Sequence, residues 1–302
     1  MRPIDLSEFS YGYAVTEALV KTMPGGVQAA PLFPSLKKEG QPGYGYDVAL
    51  EFSGFLLFFQ FKLSDQMERR SALETKDGFL EPYFFRMHLR ASAHSDQHQL
   101  LIDLEATQQN LPHEVYYAAP LFHTSVQLNE AYRTNSVVDR TVFFRPSDIG
   151  ALPDSDPHWV SFADGSNQAY FYSPRGKELG DIAISGDVLL KGLLHRQPKQ
   201  FTEASFRALG EQMEEVVVGR YRPTPRRPRA RKPPQEVERE RAMEYMARLL
   251  VPEVPVGEGP RVLEEQVRAQ LRELRATRDP REVVSYMARA FFGTEVVAVV
   301  RG

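Results

Sequence analysis

Apolar residues recur along this chain at two periods, helical towards both ends and alternating through much of the middle. Between Ser7 and about Met23 the spacing predicts a helix, with Ser7 as N-cap, Glu8 in its first turn and Pro24-Gly25-Gly26 as its stop. Glu17 falls near the middle of that helix. A Gly- and Pro-rich loop follows to Gly45. Two alternating runs, Tyr46 to Phe52 and Phe55 to Leu63, are then separated only by Ser53-Gly54, which predicts a tight β-hairpin.

Further along, the pattern predicts a strand at Tyr83 to Leu89, a helix from about Ser95 to Gln109 with Leu100, Leu101 and Leu104 on one face, and a strand at Glu114 to Leu121. Shorter strand-like runs at Thr141 to Phe144 and Ala169 to Tyr172 lie among many turn residues and read as sheet edge and loops. From Phe201 the composition shifts to Glu, Arg, Ala and Leu at helical spacing, which places a domain boundary near residue 198. Residues 1–198 then form an α/β domain and 199–302 a mainly helical region, closed by a short strand at Thr294 to Val300. The helix carrying Leu263, Val267, Leu271 and Leu274 is amphipathic and needs an apolar partner. Candidates are Glu236 to Leu250, Arg281 to Phe292, or a second chain in a homodimer.

With 302 residues there is ample chain to bury a core. The absence of cysteine removes thiol nucleophiles, disulfides and Cys-based zinc sites. No apolar run approaches the ~20 residues of a membrane span, so a soluble, cytoplasmic protein with no membrane partner is expected. The net charge of −3 gives no global pull towards nucleic acid. Its distribution does: Arg220, Arg222, Arg226, Arg227, Arg229, Arg231 and Lys232 crowd one Pro-rich stretch that holds no acid. Prolines keep such a segment extended, and arginines suit phosphate, so it reads either as an arm along a nucleic-acid backbone or as a solvated linker.

If Ser53 and Gly54 are a two-residue turn, the register sets Asp47 opposite Gln60, with Cβ atoms roughly 4.5–5.5 Å apart. Lys62 shares that face, while Phe59 and Phe61 point away. A Gly-rich lead into Asp47 (GYGYDVALEF), a hairpin and then Gln60-Phe61-Lys62 (FLLFFQFK) resemble the PD-(D/E)xK restriction-endonuclease-like nucleases, in the Q-x-K branch found in Mrr-type enzymes. The order of elements over residues 7–122 resembles that family's αβββαβ core with its mixed sheet. Tyr46 stands where the family's proline would be, and Gln60 replaces a carboxylate.

The resemblance implies a Mg²⁺- or Mn²⁺-dependent endonuclease hydrolysing DNA phosphodiesters, in restriction or antiphage defence. Asp47, Glu17 and Gln60 would hold the metal, with Glu8 as second candidate for the helix acid, and Lys62 would sit beside the attacked phosphate. The alternative is an inactive nuclease fold serving as a binding or assembly subunit, docked to a partner through its C-terminal helices. Gln97, His98 and Gln99 would approach the site if their helix packs beside the hairpin. His94 and His98 are four apart but lack the glutamate of HExxH, and His123 ends a strand, where loop histidines are common. No GxSxG, Walker A or GxGxxG sequence occurs.

Overall fold

The computed structural model describes residues 4–22, 52–89, 96–107, 113–154, 156–173, 175–221 and 260–300. Asp47, the run Tyr46 to Glu51, His94, the residues from Arg222 to Lys232 and those from Glu236 to Leu250 lie outside them. The architecture is α/β, with one mixed and one antiparallel sheet. No helix among the described residues is long and apolar enough to cross a membrane.

The chain opens with α1 (Glu8–Thr22), and the Ser10 amide donates to Ser7 Oγ at 3.0 Å, so the expected N-cap forms. Strand β1 (Phe52–Phe61) is followed by β2 (Ser64–Met67), a short α2 (Leu73–Lys76), β3 (Phe84–Leu89), α3 (Gln97–Ala106) and β4 (His113–Pro120). Next come α4 (Ser125–Arg133), β5 (Thr141–Phe144), α5 (Pro146–Ile149), β6 (His158–Phe162), β7 (Ala169–Ser173), β8 (Arg175–Gly180) and β9 (Ile184–Ser185). The chain continues through α6 (Gly186–His195), β10 (Lys199–Phe201), α7 (Glu203–Tyr221), α8 (Pro260–Thr277) and α9 (Pro280–Met287). A π-helical turn (Ala288–Phe292) then leads into β11 (Glu295–Val300).

The predicted hairpin does not form. Ser53 and Gly54 lie inside the continuous strand β1, where Gly54 pairs with both Lys199 and Val300. From Leu56 to Phe59 both edges of β1 are taken, by β4 in parallel and by β11 in antiparallel sense. The register that set Asp47 across from Gln60 also required partners for Leu57 and Phe59, and those ladder positions belong to Val297 and Glu295 on one side and to Glu114 and Tyr116 on the other.

Burial on both faces explains why Phe55 to Phe59 are all apolar, where the alternating run expected of a hairpin strand would leave one face to solvent. Phe55, Leu57, Phe59 and Phe61 pack under α1, with Tyr11, Val15 and Leu19. Leu56 and Phe58 face Leu100, Leu101 and Leu104 of α3. Each such buried side chain contributes roughly 1.5–3 kcal/mol by area. The second sheet, in the order β2-β3-β6-β7-β8, adds Phe85, Met87, Val160 and Phe162 to the core on the α3 side. Its other face is clasped by Glu74 of α2, a fully buried carboxylate that accepts from Arg86 Nε at 2.6 Å, Trp159 Nε1 at 3.0 Å and Ser161 Oγ.

The expected boundary near residue 198 falls between α6 and β10, yet β10 and β11 both pair with β1. Phe206, Leu209 and Met213 of α7, Leu271 of α8 and Val283 and Met287 of α9 share the core of Leu56 and Phe58. The C-terminal residues therefore complete the first sheet and its core instead of standing apart. Leu271 and Leu274 of α8 share a core with Val283, Val284 and Met287, so the candidate Arg281 to Phe292 is one apolar partner of α8. Helix α7, not among the candidates, is another, and Arg268 and Arg275 pair with its Glu214 at 3.4 and 2.6 Å.

Candidate functional site

Strands β1 and β4 run parallel, and the chain between them passes through β2, α2 and β3 before α3. A bond from Gln97 to Gln60 sets the N-terminus of α3 at the C-terminal end of β1. The C-terminal ends of parallel strands are where α/β folds place ligand-handling side chains, because the loops there are free to vary. Gln60 and Tyr117 are ladder neighbours and share the α3-facing side of the sheet. Beyond the strand end the Lys62 amide donates to the Ala118 carbonyl at 2.9 Å, which extends the ladder by one step. Alternation then returns Lys62 to the side of Gln60, as the sequence predicts.

The first turn of α3 lies over this pair. Gln97 Nε2 donates to Gln60 Oε1 at 2.8 Å and to the Phe292 carbonyl at 3.1 Å, while Gln60 Nε2 donates to the Phe61 carbonyl at 3.2 Å. Both Phe292 and Phe61 oxygens accept only, so each amide has one orientation that satisfies its contacts. His98 sits between Tyr117 Oη, 2.9 Å from Nδ1, and the Gly150 carbonyl, 2.8 Å from Nε2. The carbonyl requires a proton on Nε2, which leaves Nδ1 to accept from the tyrosine and makes the imidazole neutral. Burial holds its pKa below the ordinary 6.5 against the pull of the Gly150 carbonyl, and the nearby His158 and Lys62 push the same way.

Gln60 and Lys62 are both buried, at 6% and 7% exposure. A charged ammonium is held so deep only at a cost in hydration, which marks the position as more than a solvated sheet face. Gln60 itself offers a single neutral oxygen, already accepting from Gln97. Hard divalent ions prefer several oxygens with carboxylates among them. Among the described residues no cluster of three or more His, Asp or Glu side chains is placed to hold a metal ion, and Asp47 lies outside those residues.

Glu17 does not join the group. It belongs to α1, which packs on the opposite face of β1, and its carboxylate takes Lys21 Nζ at 2.8 Å and the Tyr132 hydroxyl. Those partners hold the carboxyl below its usual range, Lys21 foremost. Glu8 is exposed in the first turn of the same helix. Of the basic stretch, Arg220 falls in the last turn of α7 and the rest lies outside the described residues.

Two contributors escaped sequence reading. Tyr117 reads as a core residue in an apolar strand, and only its register beside Gln60 reveals its place. The turn at Phe292-Gly293 lies 195 positions from Gln97, beyond the reach of any local pattern. Its one legible signal is a glycine closing a helical stretch, and Gly293 does adopt φ 63°. No protein-family model, curated protein or solved structure matches the chain.

Proposed function

We propose that the chain is a metal-dependent nuclease of the PD-(D/E)xK type, acting on DNA at Gln60 and Lys62. The observation that carries this reading is a buried lysine two residues after Gln60 at the exit of β1, in a strand paired in parallel with β4, the strand that follows α3. That arrangement is compatible with the β–α–β half of an αβββαβ core. The antiparallel neighbours of β1 among the described residues, however, are β10 and the C-terminal β11.

In this reading Asp47 and Gln60 would hold a Mg²⁺ ion, which when bound would supply polarisation of the scissile phosphate and a lowered pKa for an attacking water. Glu17 has no part in it, because its helix lies across the sheet. Lys62 would place a compact positive charge where the phosphorane develops negative charge, at a buried position where water screens it poorly. The N-terminus of α3 adds positive potential at the same end of the strands. Arg222 to Lys232 would grip the DNA backbone.

Supercoiled and linear DNA incubated with wild type, Asp47→Ala and Lys62→Ala, in Mg²⁺, Mn²⁺ or EDTA, tests the proposal. Metal-dependent cutting should fall by about 10²-fold or more in both variants, the scale on which removal of a transition-state charge partner acts. Equal cutting by all three proteins would place the activity elsewhere. A second reading, an inactive fold used for assembly, draws on the engagement of the Gln60 oxygen by Gln97. It expects no cutting and no Asp47-dependent binding of metal by the wild type.

A further inference from the structure

The carboxamide of Gln60 makes two hydrogen bonds, and the side chain that gives it one of them is itself anchored by the far end of the chain. Gln97 Nε2 spends one hydrogen on Gln60 Oε1 and the other on the Phe292 carbonyl, so a single amide bridges strand β1 to the turn before β11. Gln60 Nε2 meanwhile donates to Phe61 O. Gly293 closes over both: a Cβ built there would fall 2.0 Å from Gln97 Nε2 and 3.1 Å from Gln60 Oε1. Its φ of 63° is also one that residues with a Cβ rarely adopt.

We propose that Gln97 and the Phe292-Gly293 turn form a positioning clasp that fixes the Gln60 carboxamide, making the C-terminal segment part of the site. The inference rests on the reading of Gln60 and Lys62 as the hydrolytic centre. An unrestrained glutamine would rotate about its terminal torsion and present its NH₂ group as often as its oxygen. With the clasp closed, the oxygen stays on the α3 side of the sheet, with one lone pair given to Gln97 and the second left for an electrophilic partner. The π-helical turn Ala288–Phe292 aims the carbonyl that anchors this arrangement, and the Thr294 amide secures that turn by donating to Ala288 O at 2.9 Å.

Two readouts on the full chain separate the clasp from the activity. The first is solvent exchange of the Gln60 side-chain amide protons by NMR, with Gln60→Leu assigning the resonances. The second is kcat and KM for metal-dependent DNA cleavage by wild type, Gln97→Ala and Gly293→Ala. Thermal unfolding of each variant confirms that it is folded, and Gln97→Ala carries the test should Gly293→Ala not fold. The expected result is faster exchange of the Gln60 amide in both variants, with kcat lowered at least tenfold and KM within twofold of wild type. Unchanged amide exchange in Gln97→Ala overturns the clasp itself, whatever the activity. Faster exchange with kcat within twofold of wild type overturns its role in positioning. A wild type that cuts no DNA overturns the nuclease reading, and the catalytic use of the clasp with it, while the exchange data still report whether Gln97 restrains Gln60.

Discussion

The His98 imidazole is tied at both nitrogens and buried, so it stays neutral in the fold at a pH where a solvated histidine would begin to charge. Its folded pKa lies below the unfolded value of ~6.5. Between those two values the unfolded chain binds a proton that the folded chain refuses. The contribution is thus complete above about pH 6.5 and is lost as the pH falls towards the folded pKa. One such proton gives a slope of at most about 1.4 kcal/mol per pH unit. Urea unfolding of wild type and His98→Gln at pH 7.5, 6.5 and 5.5 should therefore show a steeper acid loss for wild type, since every other group is common to both. Parallel curves would mean that His98 is not the titrating group. At this scale the sequence was partly legible. Alternation along an apolar strand is enough to set Gln60 and Lys62 on one side, and that needs no knowledge of which strands pair. Placing Glu17 required knowing which face of the sheet α1 covers, and nothing in the helix repeat of residues 8–22 encodes that choice.

Helix α1 lies close on β1 at Gly12, where an added Cβ would lie 2.7 Å from Cδ2 of Phe61. The Phe61 ring cannot easily yield, being packed edge-on against Tyr11 at 5.7 Å and tilted against Phe59 at 5.9 Å. Gly12→Ala gains about 1 kcal/mol of helix propensity and loses about 1–3 kcal/mol to overpacking, so the net effect is destabilising. Pairing it with Phe61→Leu should recover part of the loss, seen as a positive coupling in a double-mutant cycle of denaturant midpoints. Additive effects would show that the helix shifts freely. The same element pair shows why the hairpin was misread. Ser-Gly between alternating runs is a turn signal only when the flanking strands have each other as partners. Here β1 finds β4 and β11 instead, both more than 50 residues away, and Gly54 is accommodated in the ladder. Helices with a local cap or a stop, such as α1, were legible to within a residue or two, as was β4. Pairing between distant strands was not.

At the scale of the whole molecule, β1 ties the chain together, because strands from both halves of the chain cover it. Its segment Phe55 to Phe59 is five consecutive buried apolar residues, with no charge and no proline to discourage pairing with another chain. On one edge β11 is the only cover among the described residues, and on the α3 face the side chains of α7 and α9 complete the core around Leu56 and Phe58. A fragment of residues 1–198 would lose all three elements and expose an apolar edge strand together with a bared core. It should therefore aggregate when expressed alone, although its composition reads as a complete α/β domain. Co-expression with residues 199–302 should restore a soluble complex, since β10 and β11 need no covalent link to β1 to complete the ladder. Sedimentation of the fragment alone and of the mixed pair measures both outcomes. A fragment 1–198 that is monomeric and unfolds cooperatively would show that the C-terminal segment is an accessory after all. It would also remove the Phe292-Gly293 turn from the site, leaving Gln97 to hold Gln60 by a single bond.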